Sequence, residues 1–168
     1  MKIALTGTPG TGKSTVADMA NAGFTVIHLN DLIKSGYYEG IDEERGCLIA
    51  DVERLSKLVE GMEGDIILEG HVSHLMPVDA IVVLRASPGA LRERLRRRGW
   101  SEAKISENVE AEALDAILIE ALETGKKVYE VDTTNLTPIQ VRDALVEIIR
   151  GTDKYAPGSV DFSEEAFL

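Results

Sequence analysis

The chain has little cysteine, few aromatic residues and a deficit of positive charge. Cys47 is the only cysteine among 168 residues, which excludes an internal disulfide and a metal cluster built from cysteines alone. The 29 acidic residues outnumber 18 basic ones, and the formal net charge of −11 draws the chain neither to DNA nor to an anionic membrane. No apolar run approaches membrane-spanning length, and the N-terminus lacks a signal-peptide pattern. We therefore expect a cytoplasmic protein that binds anions only through a local arrangement.

Short apolar runs alternate along the chain with segments of helical periodicity. Strands are predicted at 2–6, 24–29, 65–69, 80–85 and, from a more mixed run, 127–132. Helices are predicted at 12–21, 51–62, 87–99 and 101–123, and from the segment 135–140 to about Arg150. Strands that alternate with helices predict an α/β protein whose parallel sheet is covered on both faces.

The length of the chain fits a single domain, which we expect to occupy residues 1–150. Residues 151–168 are polar, acidic and rich in turn-forming residues, and they predict a loosely ordered tail. An inert tail is one interpretation. A docking peptide is the other, because Phe162, Phe167 and Leu168 supply apolar anchors.

The segment LTGTPGTGKSTV, near the N-terminus, carries the first clear chemical signal. It fits the phosphate-loop pattern G-x-x-x-x-G-K-[ST] between a predicted strand and a predicted helix. Gly10 and Gly12 let backbone N–H groups converge on phosphate oxygens, and the helix N-terminus adds partial positive charge. We expect Lys13 to contact the β- and γ-phosphates, Ser14 to bind Mg²⁺ and Thr15 to contact the α-phosphate. The segment predicts a nucleoside triphosphate site, and a turn that binds nothing is the alternative.

A phosphate loop occurs in GTPases, in ATP-driven machines and in small kinases, so other signals must separate these classes. The sequence contains no Asn/Thr-Lys-x-Asp motif for reading guanine and no apolar run ending in Asp-Glu, which is typical of large ATPases. A small kinase needs a second carboxylate near the metal, an acceptor-binding insertion after the second strand, and arginines that cover the transferred phosphoryl group.

All three of these features have candidates in the sequence. Glu69 ends the third strand, where its carboxylate can hold Mg²⁺ directly or through water, and an acid in solvent is the alternative. Residues 30–51 follow the second strand and predict an acceptor lobe or, alternatively, an ordinary long connection. Five arginines lie within residues 92–98, and a solvated helix face explains some of them. Arg98, beside Gly99, is the best candidate for a mobile lid.

Three histidines, one tryptophan and the cysteine complete the candidates. His71 lies on the loop that leaves the carboxyl end of the sheet, where ligands bind in open α/β folds. It can orient a water molecule or the phosphoryl group, or it can be structural. His28 and His74 are interpreted as structural, Trp100 as either a base-stacking or a packing residue, and Cys47 as buried or half-buried.

The later motifs resemble those of a known family. LTGTPGTGKST, NDL, IDEERGC, EGH, VVLR, LRERLRRRGW and KISENVEAE together are similar to adenylate kinase isoenzyme 6, an atypical adenylate kinase family of archaea and eukaryotes. The resemblance covers residues 2–123 and implies a three-layer P-loop NTPase fold of nucleoside monophosphate kinase type. It implies five parallel strands, an acceptor lobe at about 28–51 and a short lid at about 97–107.

The resemblance also implies an activity and a set of site residues. The implied reaction is ATP + AMP = 2 ADP with Mg²⁺, with tolerance of other nucleoside monophosphates and with ATPase activity. A role in small ribosomal subunit maturation, through a small-subunit ribosomal protein, is implied as well. The carried-over residues are Gly10, Gly12, Lys13, Ser14 and Thr15 for the triphosphate, Arg98 for the lid, Glu69 and His71 for the acid-x-His signature, and Asp31 and Leu32 for the acceptor.

The sequence departs from related patterns at three places. Ordinary adenylate kinases carry Asp-Gly-x-Pro-Arg after the third strand, whereas this chain has Glu-Gly-His-Val-Ser and lacks that arginine. Glu69 replaces the Asp of many family members, and Asn30 replaces a Gly before Asp-Leu. We therefore keep two interpretations: a nucleoside monophosphate kinase, or an ATP-switched ribosome-assembly factor whose kinase activity is incidental.

Overall fold

A computed structural model describes residues 1–20 and 23–165 as alternating strands and helices. In chain order the elements are β1 (Lys2–Thr6), α1 (Lys13–Met19), β2 (Thr25–His28), α2 (Leu29–Lys34), β3 (Tyr38–Asp42), β4 (Cys47–Ala50), α3 (Val52–Glu60), β5 (Ile66–Glu69), β6 (Ala80–Arg85), α4 (Pro88–Arg97), α5 (Glu102–Ala113), α6 (Ala116–Glu123), β7 (Lys127–Asp132) and α7 (Pro138–Arg150). Short 3₁₀ turns lie at Ser73–Leu75 and Ser163–Glu165.

The five predicted strands form one parallel sheet in the order β2-β5-β1-β6-β7. The predicted parallel sheet is thus confirmed. In the register of the sheet, Glu69 at the end of β5 lies beside Leu5 of β1 and His28 of β2. The carboxyl ends of these strands therefore meet at one edge, from which the loops to α1, α2 and the turn after β5 depart.

Alternating side chains of the sheet fill two separate cores. On one face Ile3, Leu5 and Leu84 pack with residues of α1 and α7. On the other face Ala4 and Leu68 pack with residues of α2, α3 and α6. Both faces are buried because each parallel connection carries a helix across the sheet, which explains why the strands read as continuous apolar runs.

The helix predicted over 101–123 is two helices in the structure. α5 ends at Ala113, and Asp115 takes a left-handed conformation with φ of 57°. Aspartate tolerates this region better than most residues, and the Asp115 carboxylate accepts a hydrogen bond from Arg85 Nη2 at 2.5 Å. The tertiary contact fixes the break, which helical periodicity alone does not reveal. The first helix ends at Met19, and Asn21 lies outside the described residues.

The predicted acceptor segment contains elements that the sequence pattern did not indicate. After α2 the chain forms an antiparallel hairpin of β3 and β4, in which Ile41 pairs with Leu48 and Asp42 with Cys47. The hairpin is separate from the main sheet. Its first strand is polar and contains Gly40, so it lacks the apolar alternation that predicts a strand.

Residues of the tail after α7, up to 165, lie against the domain. The Tyr155 carbonyl accepts a hydrogen bond from the Glu130 backbone at 2.8 Å, and the Gly158 N–H donates to Glu130 Oε2 at 2.7 Å. Phe162 is buried, with its ring 5.5 Å from the Arg85 guanidinium. The other two expected anchors, Phe167 and Leu168, lie outside the described residues. Across residues 1–20 and 23–165, no helix has the length and apolar character to cross a membrane.

Candidate active site

The phosphate loop joins β1 to α1 and is held by close packing from neighbouring elements. A Cβ atom at Gly7 would lie 2.3 Å from the Leu84 carbonyl oxygen, so no side chain fits there. At Gly10, whose φ is 94°, a Cβ atom would lie 2.9 Å from Leu91 and 3.1 Å from Leu95 on α4. Both glycines are therefore required by the path of the loop as well as by its conformation.

Lys13 lies within the loop and is almost completely buried, with 8% exposure. Its Nζ donates a hydrogen bond to the Thr8 carbonyl at 3.1 Å, so the ammonium group is directed back across the loop. Burial lowers the pKa of Lys13 to about 8, with the charge of Arg98 acting in the same direction and those of Glu69 and Glu112 opposing it. An anion such as a phosphate would stabilise the protonated form of this buried lysine and so raise its pKa.

Ser14 and Thr15 are exposed at the start of α1, and both line the larger of two cavities around the loop. Thr15 lines the smaller cavity as well. The hydroxyls are thus accessible from the space in front of the loop. The structure brings them together with Lys13 as the loop motif predicts.

Glu69 reaches the same cavity from the end of β5, and it is buried with 4% exposure. Its Oε2 lies 2.8 Å from Nδ1 of His28, whose Nε2 is 3.0 Å from Asp18 Oδ1. The hydrogen bond to Glu69, aided by that to Asp18, raises the pKa of His28. The sequence interpretation of His28 as merely structural missed this contact. The signal available was that both residues lie at or beside the ends of predicted strands, whose carboxyl ends meet at the ligand-binding edge of a parallel sheet.

The donor set fits Mg²⁺ carried by a nucleotide better than a metal bound by the protein alone. Ser14 and Glu69 offer a hydroxyl and a carboxylate, which are the hard oxygen ligands that Mg²⁺ prefers. Among the described residues, no group of three or more His, Cys, Asp and Glu side chains is arranged to hold a metal. Most of the coordination shell must therefore come from phosphate and water.

His71 also lines the larger cavity, on the turn after β5. Partial desolvation lowers the pKa of His71, and the positive charge of Lys13 adds to this effect. The imidazole is therefore held in its neutral form, in which one ring nitrogen can accept a proton. His74, by contrast, is buried between Thr6 at 3.0 Å and Glu120 at 2.8 Å, which fits its interpretation as a structural residue.

Of the arginines in α4 and directly after it, some line the cavities and others are exposed to solvent. Arg98, which follows α4 directly, lines both cavities. Arg94 braces the loop instead, since its Nη1 donates to the Gly10 carbonyl at 3.3 Å and to Thr133 Oγ1 at 3.2 Å. Arg96 forms an exposed ion pair with Glu102 at 2.6 Å, which is the solvated role expected for part of this cluster.

The smaller cavity has a volume of about 410 Å³ and lies between the loop, α4 and the start of α7. Its wall combines apolar side chains with arginines: Val16, Leu136, Pro138, Val141, Arg94, Arg97 and Arg98. Apolar surfaces beside cations suit a heterocyclic base attached to phosphates.

The larger cavity has a volume of about 1130 Å³ and extends from the loop to the β3–β4 hairpin and to α5. On the acceptor side its wall includes Asn30, Ile33 and Lys34. The structure does not bring Asp31 and Leu32, the two residues expected there, to this wall. Helix α2 has one face toward the cavity, and these two residues lie on its other sides, with Leu32 packed into the core.

Further side chains of the larger cavity come from the hairpin and the lid region. Arg45, at the hairpin turn, bonds to Glu107 of α5 at 2.6 Å and so connects the two walls. Cys47 is exposed here rather than buried or half-buried as expected. Trp100 is half-buried, and Lys104 Nζ lies 4.3 Å from the centre of its ring.

Comparisons with known proteins agree with the class that this fold and loop define, the P-loop kinases. Over 90% of this chain and 100% of that chain, the structure matches deoxyadenosine kinase from M. mycoides with bound dATP at a TM-score of 0.59 and 18% identity. It also matches shikimate kinase from Acinetobacter baumannii at a TM-score of 0.63 and 14% identity, over 89% of this chain and 92% of that chain. At these identities the similarity concerns the fold.

Sequence relatives define the family more closely. The family described as "AAA domain" matches residues 3–115. A protein of Archaeoglobus fulgidus named "Putative adenylate kinase" is 48% identical over 98% of this chain and 93% of its own length. A protein of the same name from Natronomonas pharaonis is 46% identical over 98% of this chain and 99% of its own length. The chain belongs to the family of these putative adenylate kinases.

Proposed function

We propose that this protein is a nucleoside monophosphate kinase that transfers the γ-phosphoryl group of ATP to AMP. One observation carries the proposal: two cavities meet at the phosphate loop, and both are lined by Gly10, Gly12, Thr15 and Arg98. A donor and an acceptor bound in the two cavities would meet at these shared residues, with Lys13 in the wall of the larger cavity. The names of the sequence relatives support adenine nucleotides as substrates.

In this proposal the donor base occupies the smaller cavity, and its phosphates lie along the loop. A phosphate oxygen of AMP attacks the γ-phosphorus while the bond to the β,γ-bridging oxygen breaks, giving two molecules of ADP. Lys13 and Arg98 neutralise the charge that develops on the transferred group and the leaving ADP. Ser14 and Glu69 would hold Mg²⁺, which supplies further neutralisation of the phosphates. Neutral His71 orients the γ-phosphoryl group or a water molecule beside it.

The acceptor would occupy the larger cavity between α2, the hairpin and α5. Lys34 and Arg45 are cations on the acceptor side of its wall, and they can attract the phosphate of AMP in place of the arginine missing after β5. Leu32 helps to hold α2 beside this wall by packing against the core, whereas Asp31 is exposed. The Arg45–Glu107 contact keeps hairpin and lid region close before the acceptor arrives.

The proposal is tested by incubating the protein with Mg·ATP and each nucleoside monophosphate, and by separating the nucleotides by chromatography. ADP formed at twice the rate of AMP loss is expected. Lys13→Met should lower turnover by at least about a hundredfold, because a buried cation is removed from the transition state. Lys57→Met is the matched control, since Lys57 is exposed and paired with Glu53. Phosphoryl transfer by Lys13→Met at the wild-type rate would contradict the site assignment.

A second candidate function is an ATP-dependent factor in small ribosomal subunit maturation that binds a small-subunit ribosomal protein and hydrolyses ATP. The net charge of −11 favours a basic partner of this kind. Binding to purified basic small-subunit proteins at near-physiological salt, with and without ATP, tests it. Absence of any nucleotide-dependent binding would contradict it.

A further inference from the structure

The side chain of Thr8, inside the phosphate loop, is bound by the far end of α5. Thr8 Oγ1 donates a hydrogen bond to Glu112 Oε2 at 2.5 Å. Both side chains are 3% exposed, and 104 residues of sequence separate them. A buried hydrogen bond to a carboxylate is stronger than one between neutral groups.

Glu112 is itself fixed by two donors on its other oxygen. Arg85 Nε donates to Glu112 Oε1 at 2.8 Å, and the Ala86 N–H donates to the same oxygen at 3.1 Å. A further bond runs from Arg85 Nη2 to the Glu112 carbonyl at 3.0 Å. The carboxylate therefore cannot rotate away from Thr8 without losing bonds to the end of β6.

Arg85 is fully engaged in this cluster and is not available to a phosphate. Its remaining bonds go to Glu130 at 2.6 Å and to Asp115 at 2.5 Å. The side chain is 1% exposed and lines neither of the two cavities. The side chain of the arginine is connected to the loop through Glu112.

The backbone carbonyl of Thr8 in turn binds other residues of the phosphate loop, so the position of Thr8 affects theirs. The Thr8 carbonyl accepts hydrogen bonds from Lys13 Nζ at 3.1 Å, from Thr11 Oγ1 at 2.8 Å and from the Thr11 N–H at 3.3 Å. Side chain and carbonyl of one residue thus connect α5 on one side with the phosphate-binding groups on the other.

We propose that Glu112 is a positioning residue for the phosphate loop: by holding the Thr8 hydroxyl, it fixes the carbonyl that orients Lys13 and the backbone donors around it. The inference rests on the proposed function only in taking the loop as the triphosphate site. The loop motif does not include Glu112, and although Glu112 ends the segment KISENVEAE, the sequence assigned it no role. Its effect is therefore expected in nucleotide affinity, which can be measured whatever the acceptor is.

The experiment compares Thr8→Val, Thr8→Ser and Glu112→Gln with the wild type. Affinity for a non-hydrolysable ATP analogue is measured by calorimetry, and folding by circular dichroism and thermal unfolding. Loss of the hydroxyl in Thr8→Val should weaken binding about tenfold to a hundredfold, as expected for a hydrogen bond to a charged group. Thr8→Ser restores the hydroxyl and should restore affinity to within about threefold of the wild type. Glu112→Gln should weaken binding as well, because the bonds to Thr8 and Arg85 lose the charge of the carboxylate.

Thr124→Val is the matched control for loss of a threonine hydroxyl. Thr124 Oγ1 bonds to the Ala121 carbonyl at the end of α6, away from both cavities, so its removal should leave affinity unchanged. If Thr8→Val does not fold, Thr8→Ala makes the same comparison. Folded Thr8→Val and Glu112→Gln proteins with wild-type affinity would overturn the proposal. An inactive wild type that still binds the analogue would instead contradict the kinase assignment and leave this comparison intact.

Discussion

Replacement of Arg85 by methionine should destabilise the protein more than any exposed charge change. Arg85 is 1% exposed and bonds to Glu112, Glu130 and Asp115, of which the first two are also buried. Methionine fills much of the volume but leaves these carboxylates without their cation. Breaking a buried ion pair in this way costs about 3–5 kcal/mol, because an uncompensated charge stays in the interior. The Phe162 ring also loses the cation it packs on.

For a chain of this size, each kcal/mol changes the melting temperature by about 2–4 °C. The variant should therefore melt about 6–20 °C below the wild type, and urea unfolding should give the same loss of free energy. Arg142→Met is the matched control, because Arg142 forms an exposed pair with Asp143. Exposed pairs contribute at most about 1 kcal/mol. An Arg85→Met protein within 1 kcal/mol of wild type would refute the reasoning that these carboxylates cannot stay buried without their cation.

Three further predictions concern the tail, a histidine and the loop lysine. Phe162→Ala should lower the free energy of unfolding by about 3 kcal/mol in urea titration, since a buried ring is removed; wild-type stability would show that the tail contributes nothing. Burial lowers the pKa of His74, so the folded state resists its protonation; stability should fall as the pH drops below 6.5, and His74→Gln should flatten this dependence. Lys13 has a pKa of about 8, which bound phosphates raise; at pH 8 ATP binding should take up about half a proton, measured by calorimetry in buffers of different ionisation enthalpy. Binding without proton uptake would contradict this state of Lys13.

Elements with a local physical cause were predictable from the sequence. Four strands of the main sheet are mainly apolar runs of four to six residues, as expected of buried parallel strands, and only β7 is more mixed. The start of α4 was predictable too, because Ser87 caps it by accepting from the Ala90 N–H and Pro88 occupies its first turn. The phosphate loop follows from its glycines, since two close approaches exclude any side chain.

Features that depend on distant contacts were not predictable. The break after α5 depends on the bond between Asp115 and Arg85, and the placement of the tail depends on Glu130. Likewise, Glu69 meets His28 only because β2 lies beside β5, an order that apolar runs do not specify. In the acceptor segment, the orientation of α2 brings Lys34 rather than Asp31 to the cavity.

The central claim is tested most directly by following the γ-phosphoryl group of ATP. The protein is incubated with Mg²⁺, AMP and ATP labelled at the γ-position, and the label is located after separation of nucleotides and free phosphate. If donor and acceptor bind in the two cavities that share Gly10, Gly12, Thr15 and Arg98, the label should enter the β-position of ADP, and only when AMP is present. Label released as free phosphate at the same rate with and without AMP would contradict the account.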